Sequence, residues 1–543
     1  MDKGKSTVAP ADRSSMDVTG LSADEIQLRL QGHVGELPRQ FGTLATISLA
    51  FTITNSWIGI SAVFVTPLFA GAGPAIFWGI LVAAVACSFI NAGLAELASA
   101  FPSSGGQYHF AFMVAPPRYR APIAFIAGWL SVVAWWMTAA SACIYCAQIC
   151  VNLASFFNPE YVWTQWQVYL VYVALTCLAV AIFVLLPTLM PKTEIVFFAA
   201  SLVGFLVFCI AVLAASKTKQ SGRTVFVEWV NLTGWNDGIA FFLGVGSCMY
   251  VFLATDAATH IAEEMPNPSR NVPRAIGMTM VIGASTSLVW AVAFLFSTND
   301  LDEVAGSYLP ILTVFYQALH NQGGAAFLAV WLLVVYYGAT ISCFLTAGRL
   351  TWAFARDNGL PFSRFFAKVH PTLQVPVNAS LLTMVFCILY GLIYIGSTTA
   401  FNSFISLSIL GLNITYAIPQ AIVLVRGRAN VLPARPFNLG PLLGPFCNLF
   451  SVVWTLFYTV LFSFPVFLPV TAQNMNYVSV VLVGVSLITL ALWWGGKRKT
   501  FTGPSIQIDG LEVLSAAATG SLATGPSQAG VLATSKEEAS AAA

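Results

Sequence analysis

Apolar runs of about twenty residues or more, separated by short polar stretches, fill most of the chain between residues 43 and 496. A helix needs about 20 apolar residues to cross the hydrocarbon core of a bilayer. Runs of that kind lie near 43–70, 74–99, 121–155, 164–187, 193–215, 237–262, 275–297, 323–348, 377–396, 399–425, 443–469 and 476–496. The pattern predicts an all-α polytopic membrane protein with twelve spans, residues 42–497 forming the membrane domain. Residues 1–41 are a polar N-terminal tail, in which Ser22, three residues before Glu25, marks the start of a short amphipathic helix. Residues 498–543, rich in Ala, Ser, Gly and Thr, are expected to form a disordered C-terminal tail. No apolar signal-peptide core precedes the first span, so that span serves as the insertion signal.

Two spans depart from the uniform apolar pattern. The first carries Asn55, Ser56 and Gly59 at mid-span, around Trp57 and Ile58. The sixth runs from Gly244 through Phe252 and Ala254 to Thr255 and Asp256. Small and polar residues at mid-depth weaken a helix and leave backbone groups for neighbours or a ligand. The interruptions fall at the first helix of each of two five-helix halves. That is the pattern of a 5+5 inverted-repeat transporter with broken helices 1 and 6 and two extra helices.

Composition agrees. The chain of 543 residues is 57% hydrophobic and 8% charged, against about 25% charged in soluble domains, so lipid must solvate it. A net charge of +2 gives no basic surface for nucleic acid. An even number of spans places both ends on one side, and with those ends inside, 21 of the 24 Lys and Arg residues fall on the inner side. Only Lys217, Lys219 and Arg223 fall outside, so both tails are expected in the cytoplasm. Asn231, followed by Leu and Thr, is the one outward glycosylation sequon, close to the sixth span. The ten cysteines lie inside apolar segments. Cys143 and Cys146 form a CxxC that lacks a second pair or a histidine, so packing is expected rather than metal binding.

Asp256 is the only acid placed well inside a span, where a charge costs about 2.5–3.5 kcal/mol and marks a cavity or pathway. As a preferred N-cap residue it also suits the start of the second half of helix 6. His260, four residues on, lies on the same helical face and is a candidate proton partner or a structural residue. Trp57, Trp135, Trp136, Tyr250 and Phe252 crowd this layer, and such rings attract ammonium groups; Trp57 and Phe252 stand beside the breaks. Glu263 and Glu264 end the sixth span and form a candidate gate with Arg118, Arg270, Arg274 or Arg349, although those arginines also obey the positive-inside rule. The chain contains no HExxH, GxSxG, Walker or dinucleotide motif, so an enzyme is not expected.

Three segments resemble a known family. Ala95-Glu-Leu-Ala-Ser-Ala-Phe-Pro-Ser-Ser-Gly-Gly-Gln-Tyr-His109 is similar to the signature after helix 2 of amino acid permeases in the amino acid–polyamine–organocation superfamily. Asp256 to Pro268 resembles the end of their sixth helix. Asn55 to Gly59, Gly71 to Pro74 and Gly128-Trp129 resemble the fungal-type branch that carries GABA, other amino acids and choline. The resemblance implies a secondary transporter of a small amino acid or related amine, working by alternating access, without a cofactor and driven by a proton gradient. It implies a location in the plasma membrane, with the vacuolar membrane as alternative. It implies that the amides from Asn55 to Gly59 receive a substrate carboxylate, and that Phe252 to Asp256 receive the amino group. Ala254 stands where the family often has Gly, the N-tail from Gly32 to Arg39 lacks some of the family's basic residues, and no lysine lies mid-way along helix 5. A specialised metabolite as cargo, or a nutrient sensor on the same scaffold, are the alternatives.

Overall fold

The structure, a computed structural model, describes residues 23–33 and 35–504. Ser22 and most of the C-terminal tail therefore lie outside the described residues. Every regular element among the described residues is helical. Among the described residues twelve helices are long and apolar enough to span a bilayer: Thr43–Val63, Val65–Ala100, Arg120–Phe157, Gln165–Leu185, Pro187–Ala215, Asp237–Glu264, Pro268–Ser297, Gln322–Arg356, Val377–Gly396, Thr398–Arg426, Gly440–Leu461 and Val478–Thr500, here spans 1 to 12. The expected boundary between spans 1 and 2 falls where helical geometry fails, at Gly71 and Ala72, and Ala72 takes φ 55°.

Span 1 is broken at Asn55, and span 6 at Leu253 and Ala254. After span 2 the chain folds into a buried short helix, Gln107–Val114, on the face where the described residues begin and end, here the face of the chain ends. After span 7 a short apolar helix, Pro310–Leu319, follows on the opposite face. The same step recurs five spans later on the other side, as two inverted halves require.

Spans 1 and 3 form the centre, each with 83% of its apolar window buried, against 17% for span 12. Leu170, Leu178, Val453 and Ile488 point outward from spans 4, 11 and 12. Water would not solvate that belt; lipid does. The cysteines form no disulfide among the described residues. The Cys143 and Cys146 thiols instead pack against Thr176 and Thr340.

The face with the chain ends is tied together by polar contacts. Glu96, near the end of span 2, is gripped by Arg428 and Arg435 of the segment between spans 10 and 11. The N-terminal segment docks beneath the bundle: Asp24 accepts from the Asn267 amide, the Phe41 amide donates to Glu264 O, and His33 lies 2.9 Å from Asp357. Burial alone would raise the Asp357 carboxyl, but His33 and the charge of Arg356 together hold the group below its ordinary range. On the other face, Asn231 Nδ2 donates to Trp235 O and Asp237 Oδ1, and Thr233 Oγ1 donates back to Asn231. The sequon is thus folded onto itself at the entry to span 6.

Candidate functional site

Asn55 adopts φ 29° and ψ 60°, outside helical space. Its amide still donates to Phe51 O at 2.6 Å, and the second half begins with Ile58 N to Asn55 O at 3.0 Å. Ser56 and Trp57 open the second half-helix, so their amides lie at its N-terminal end. In span 6 the helix ends at Phe252, Leu253 is extended, Ala254 is left-handed at φ 62°, and a tighter helix runs from Thr255 to Glu264. Each break apposes the carbonyl end of one half-helix to the amide end of the next, offering both a partial negative and a partial positive pole.

Between the breaks lies a narrow cavity of about 30 Å³, bounded by Asn55, Gly59, Ala254, Thr138, Tyr250 and Tyr336 among others. No charged side chain lines it. Beyond Tyr250 and Tyr336, which belong to both walls, opens a vestibule of about 560 Å³ towards the face opposite the chain ends. The two tyrosine hydroxyls are 3.1 Å apart, and Ser141 Oγ is 3.2 Å from that of Tyr250. On the other side the cavity is sealed by ion pairs, Glu264 with Arg349 at 2.6 Å and Glu263 with Arg356 at 2.8 Å.

The structure redistributes the expected site residues. Asn55, Gly59 and Ala254 line the cavity. Trp57 turns away, donating to Ser201 Oγ on span 5 and packing on Phe208 and Trp290. Ile58 is buried outside the cavity wall, and the Ser56 hydroxyl and the Phe252 ring approach Gly283 of span 7. Thr255 donates to Asn91 Oδ1. Tyr250 and Tyr336 are the rings that face the cavity. Sequence periodicity missed this because each break changes the helical phase, so a face extrapolated through Asn55 or Ala254 points the wrong way.

Asp256 does not cap its half-helix, because the cap position is Ala254 and no side-chain cap bond forms. Its carboxylate accepts from Gln107, Trp135 and Tyr416 at 2.7, 3.1 and 2.7 Å, with His260 Nε2 at 3.0 Å. His260 Nδ1 lies 3.1 Å from the carbonyl oxygen of Ser104, which can only accept. That assigns the Nδ1 hydrogen, leaving Nε2 and Asp256 to share one further proton. The network stands one layer from the cavity and fastens span 6 to spans 3 and 10 and to the helix that follows span 2. Nor is Asp256 the sole acid buried in a span: Glu96 and Glu194 are also buried. Of the expected gate partners only Arg349 pairs with these glutamates; Arg356 is the second, and Arg118, Arg270 and Arg274 make no ion pair with Glu263 or Glu264. These pairs are buried, and a buried pair is costly to break from one side.

Comparison with known proteins decides the family. Residues 42–486 match the family profile described as amino acid permease. The chain belongs to the amino acid permease family. The permease is 36% identical to a choline transporter of Saccharomyces cerevisiae over 91% of its own length and 86% of that relative. It is 33% identical to an uncharacterized amino-acid permease of Schizosaccharomyces pombe, over 91% of the permease and 92% of the relative. It is 30% identical to a swainsonine transporter of Arthroderma benhamiae, over 85% of the permease and 92% of the relative. The permease is therefore an integral, multi-pass transporter of the amino acid and choline permease type, not an enzyme.

Proposed function

We propose that the permease imports a small amine-bearing solute, choline or a compact amino acid such as GABA, together with protons, with both termini cytoplasmic. The observation that carries this is the uncharged wall of the cavity, set between paired half-helix ends and under two tyrosine rings. A carboxylate or hydroxyl suits the amide end of the second half-helix of span 1, which begins at Ser56. An ammonium suits the freed carbonyls and the ring faces of Tyr250 and Tyr336. A fully charged cavity wall would instead select one substrate sign. The vestibule leads to the cavity while the Glu263 and Glu264 pairs close the other end, as in one of the two end states of alternating access.

Uptake of labelled choline, GABA, neutral and basic amino acids, at two pH values and with a protonophore, tests both parts. Choline and short zwitterions should compete with one another, and the protonophore should abolish accumulation. Uptake restricted to basic amino acids would overturn the substrate class, and accumulation indifferent to the protonophore would overturn the coupling. A specialised metabolite as cargo is the second reading, favoured by the relative named for swainsonine; swainsonine outcompeting choline in the same assay would establish it.

A further inference from the structure

Glu194 lies on span 5 and is fully buried. Oε1 is 2.7 Å from Ser342 Oγ on span 8, and Oε2 has no partner. Among the described residues no Lys, Arg or His comes within ion-pair distance of it. The other buried acids differ: Glu96, Glu263 and Glu264 each hold arginine, Asp357 holds His33, and Asp256 is met by His260 and three neutral donors. The titratable groups around Glu194 are few. Cys343 of span 8 is nearby, Lys192 on the same helix is exposed two residues away, and the first half of span 1, packed along span 5, contains no ionisable residue.

The groups around this carboxyl favour its neutral form. Ser342 Oγ also lies 2.9 Å from Gly338 O, and one hydroxyl hydrogen cannot serve both neighbours fully. If Glu194 is protonated, it donates its own hydrogen to Ser342, and the Ser342 hydrogen goes to Gly338. Both contacts of the Ser342 hydroxyl are then satisfied. An ionised Glu194 would be a buried charge with one hydrogen bond and no counter-ion, which burial in a bundle core strongly opposes.

The position links this proton to the machinery. Glu194 and Ser201 are seven residues apart, so they share one face of span 5, about 10 Å apart along its axis. Ser201 donates to Asn55 Oδ1 at the span 1 break and accepts from Trp57. Ser342 and Arg349 share a face of span 8 in the same way, and Arg349 holds Glu264 at the sealed end. Cys343, beside Ser342, lines the cavity. Span 5 thus touches the substrate break through Ser201 and the middle of span 8, two turns before Arg349, through Glu194.

Granting the proton-coupled uptake proposed above, we propose that Glu194 is the proton-binding site: neutral while packed on Ser342, ionised when spans 5 and 8 part and admit water. Loading is then simple protonation of a carboxylate from the entry side, and release is its reversal on the other.

The test uses the full-length permease in proteoliposomes with labelled choline. Glu194→Gln should keep exchange of labelled for unlabelled choline, while accumulation driven by a proton gradient falls at least about tenfold and loses its pH dependence. In infrared difference spectra, wild type should show a protonated-carboxyl band that changes on choline addition, and Glu194→Gln should lack it. Ser342→Ala keeps the acid but removes its partner, so the band should shift; this arm decides the matter if the glutamine variant does not fold. Accumulation in Glu194→Gln that remains proton-driven, or a band unmoved by Ser342→Ala, overturns the assignment of Glu194. Wild-type accumulation that follows sodium, or needs no gradient, instead overturns proton coupling itself.

Discussion

Ala254 shows how one methyl group shapes this site. Its backbone sits at φ 62°, where an L residue with a side chain costs about 1–2 kcal/mol and glycine almost nothing. The same residue forms part of the cavity wall, so the strain holds a methyl where substrate must fit. Ala254→Gly should therefore raise thermal stability by up to about 1 kcal/mol, after the added freedom of the unfolded chain is counted. It should also raise uptake of bulkier amines relative to choline. Thermal melts in detergent and competition assays read the two effects separately, and a lower melting point with unchanged selectivity would show Ala254 to be neither strained nor limiting. The departure from glycine was visible in the sequence; the left-handed conformation that gives it meaning was not.

Helix ends and the segments between them carry the closing apparatus. The Glu264–Arg349 and Glu263–Arg356 pairs join the end of span 6 to that of span 8 in near-complete burial. Removing one partner leaves the other charge uncompensated, a loss of about 3–5 kcal/mol. Glu264→Gln should therefore shift the permease towards opening on the face of the chain ends. Cys343, which lines the cavity, should then react faster with an impermeant thiol reagent applied from that face, with Cys343→Ser as the control. Exchanging the two partners, Glu264→Arg with Arg349→Glu, should slow the reaction again. Unchanged labelling in Glu264→Gln would mean that the pair does not hold this face closed. Sequence placed both glutamates at the gate, but Arg356 was indistinguishable from the other inward arginines, because a rule about sidedness says nothing about partners.

Across the whole permease, polar burial beneath the bundle makes stability depend on pH. His109 is fully buried beside His33, neither of its ring nitrogens has a partner, and burial pushes it down to about 3. Below the ordinary histidine value of 6.5 the unfolded chain binds a proton that the folded chain refuses. Stability therefore falls as pH drops from about 6.5 towards 3, by about 1.4 kcal/mol per pH unit from this residue. His109→Phe forfeits no hydrogen bond, and melting points between neutral and acid pH should fall less steeply than in wild type. An equal acid slope in the variant would assign the sensitivity to other groups.

Span number, the all-helical class and the breaks in spans 1 and 6 could be read from the sequence alone, because they depend on local quantities. The length of apolar runs measures bilayer thickness, and weak helix formers at mid-span, Asn55, Ser56 and Gly59 in span 1 and Gly244, Gly246 and Ser247 ahead of the break in span 6, act on their own backbone. Which side chains face the cavity was decided only by the tertiary structure. A break resets the helical phase, so Trp57 turned to span 5 while Tyr250 met Tyr336 of span 8. Pairing across long separations was equally hidden: Glu96 with Arg428 and Arg435, Asp256 with Gln107 and Tyr416, and Glu194 with Ser342. Such partners lie scores to hundreds of residues apart in the chain, and only the packing of one span against another brings them within reach.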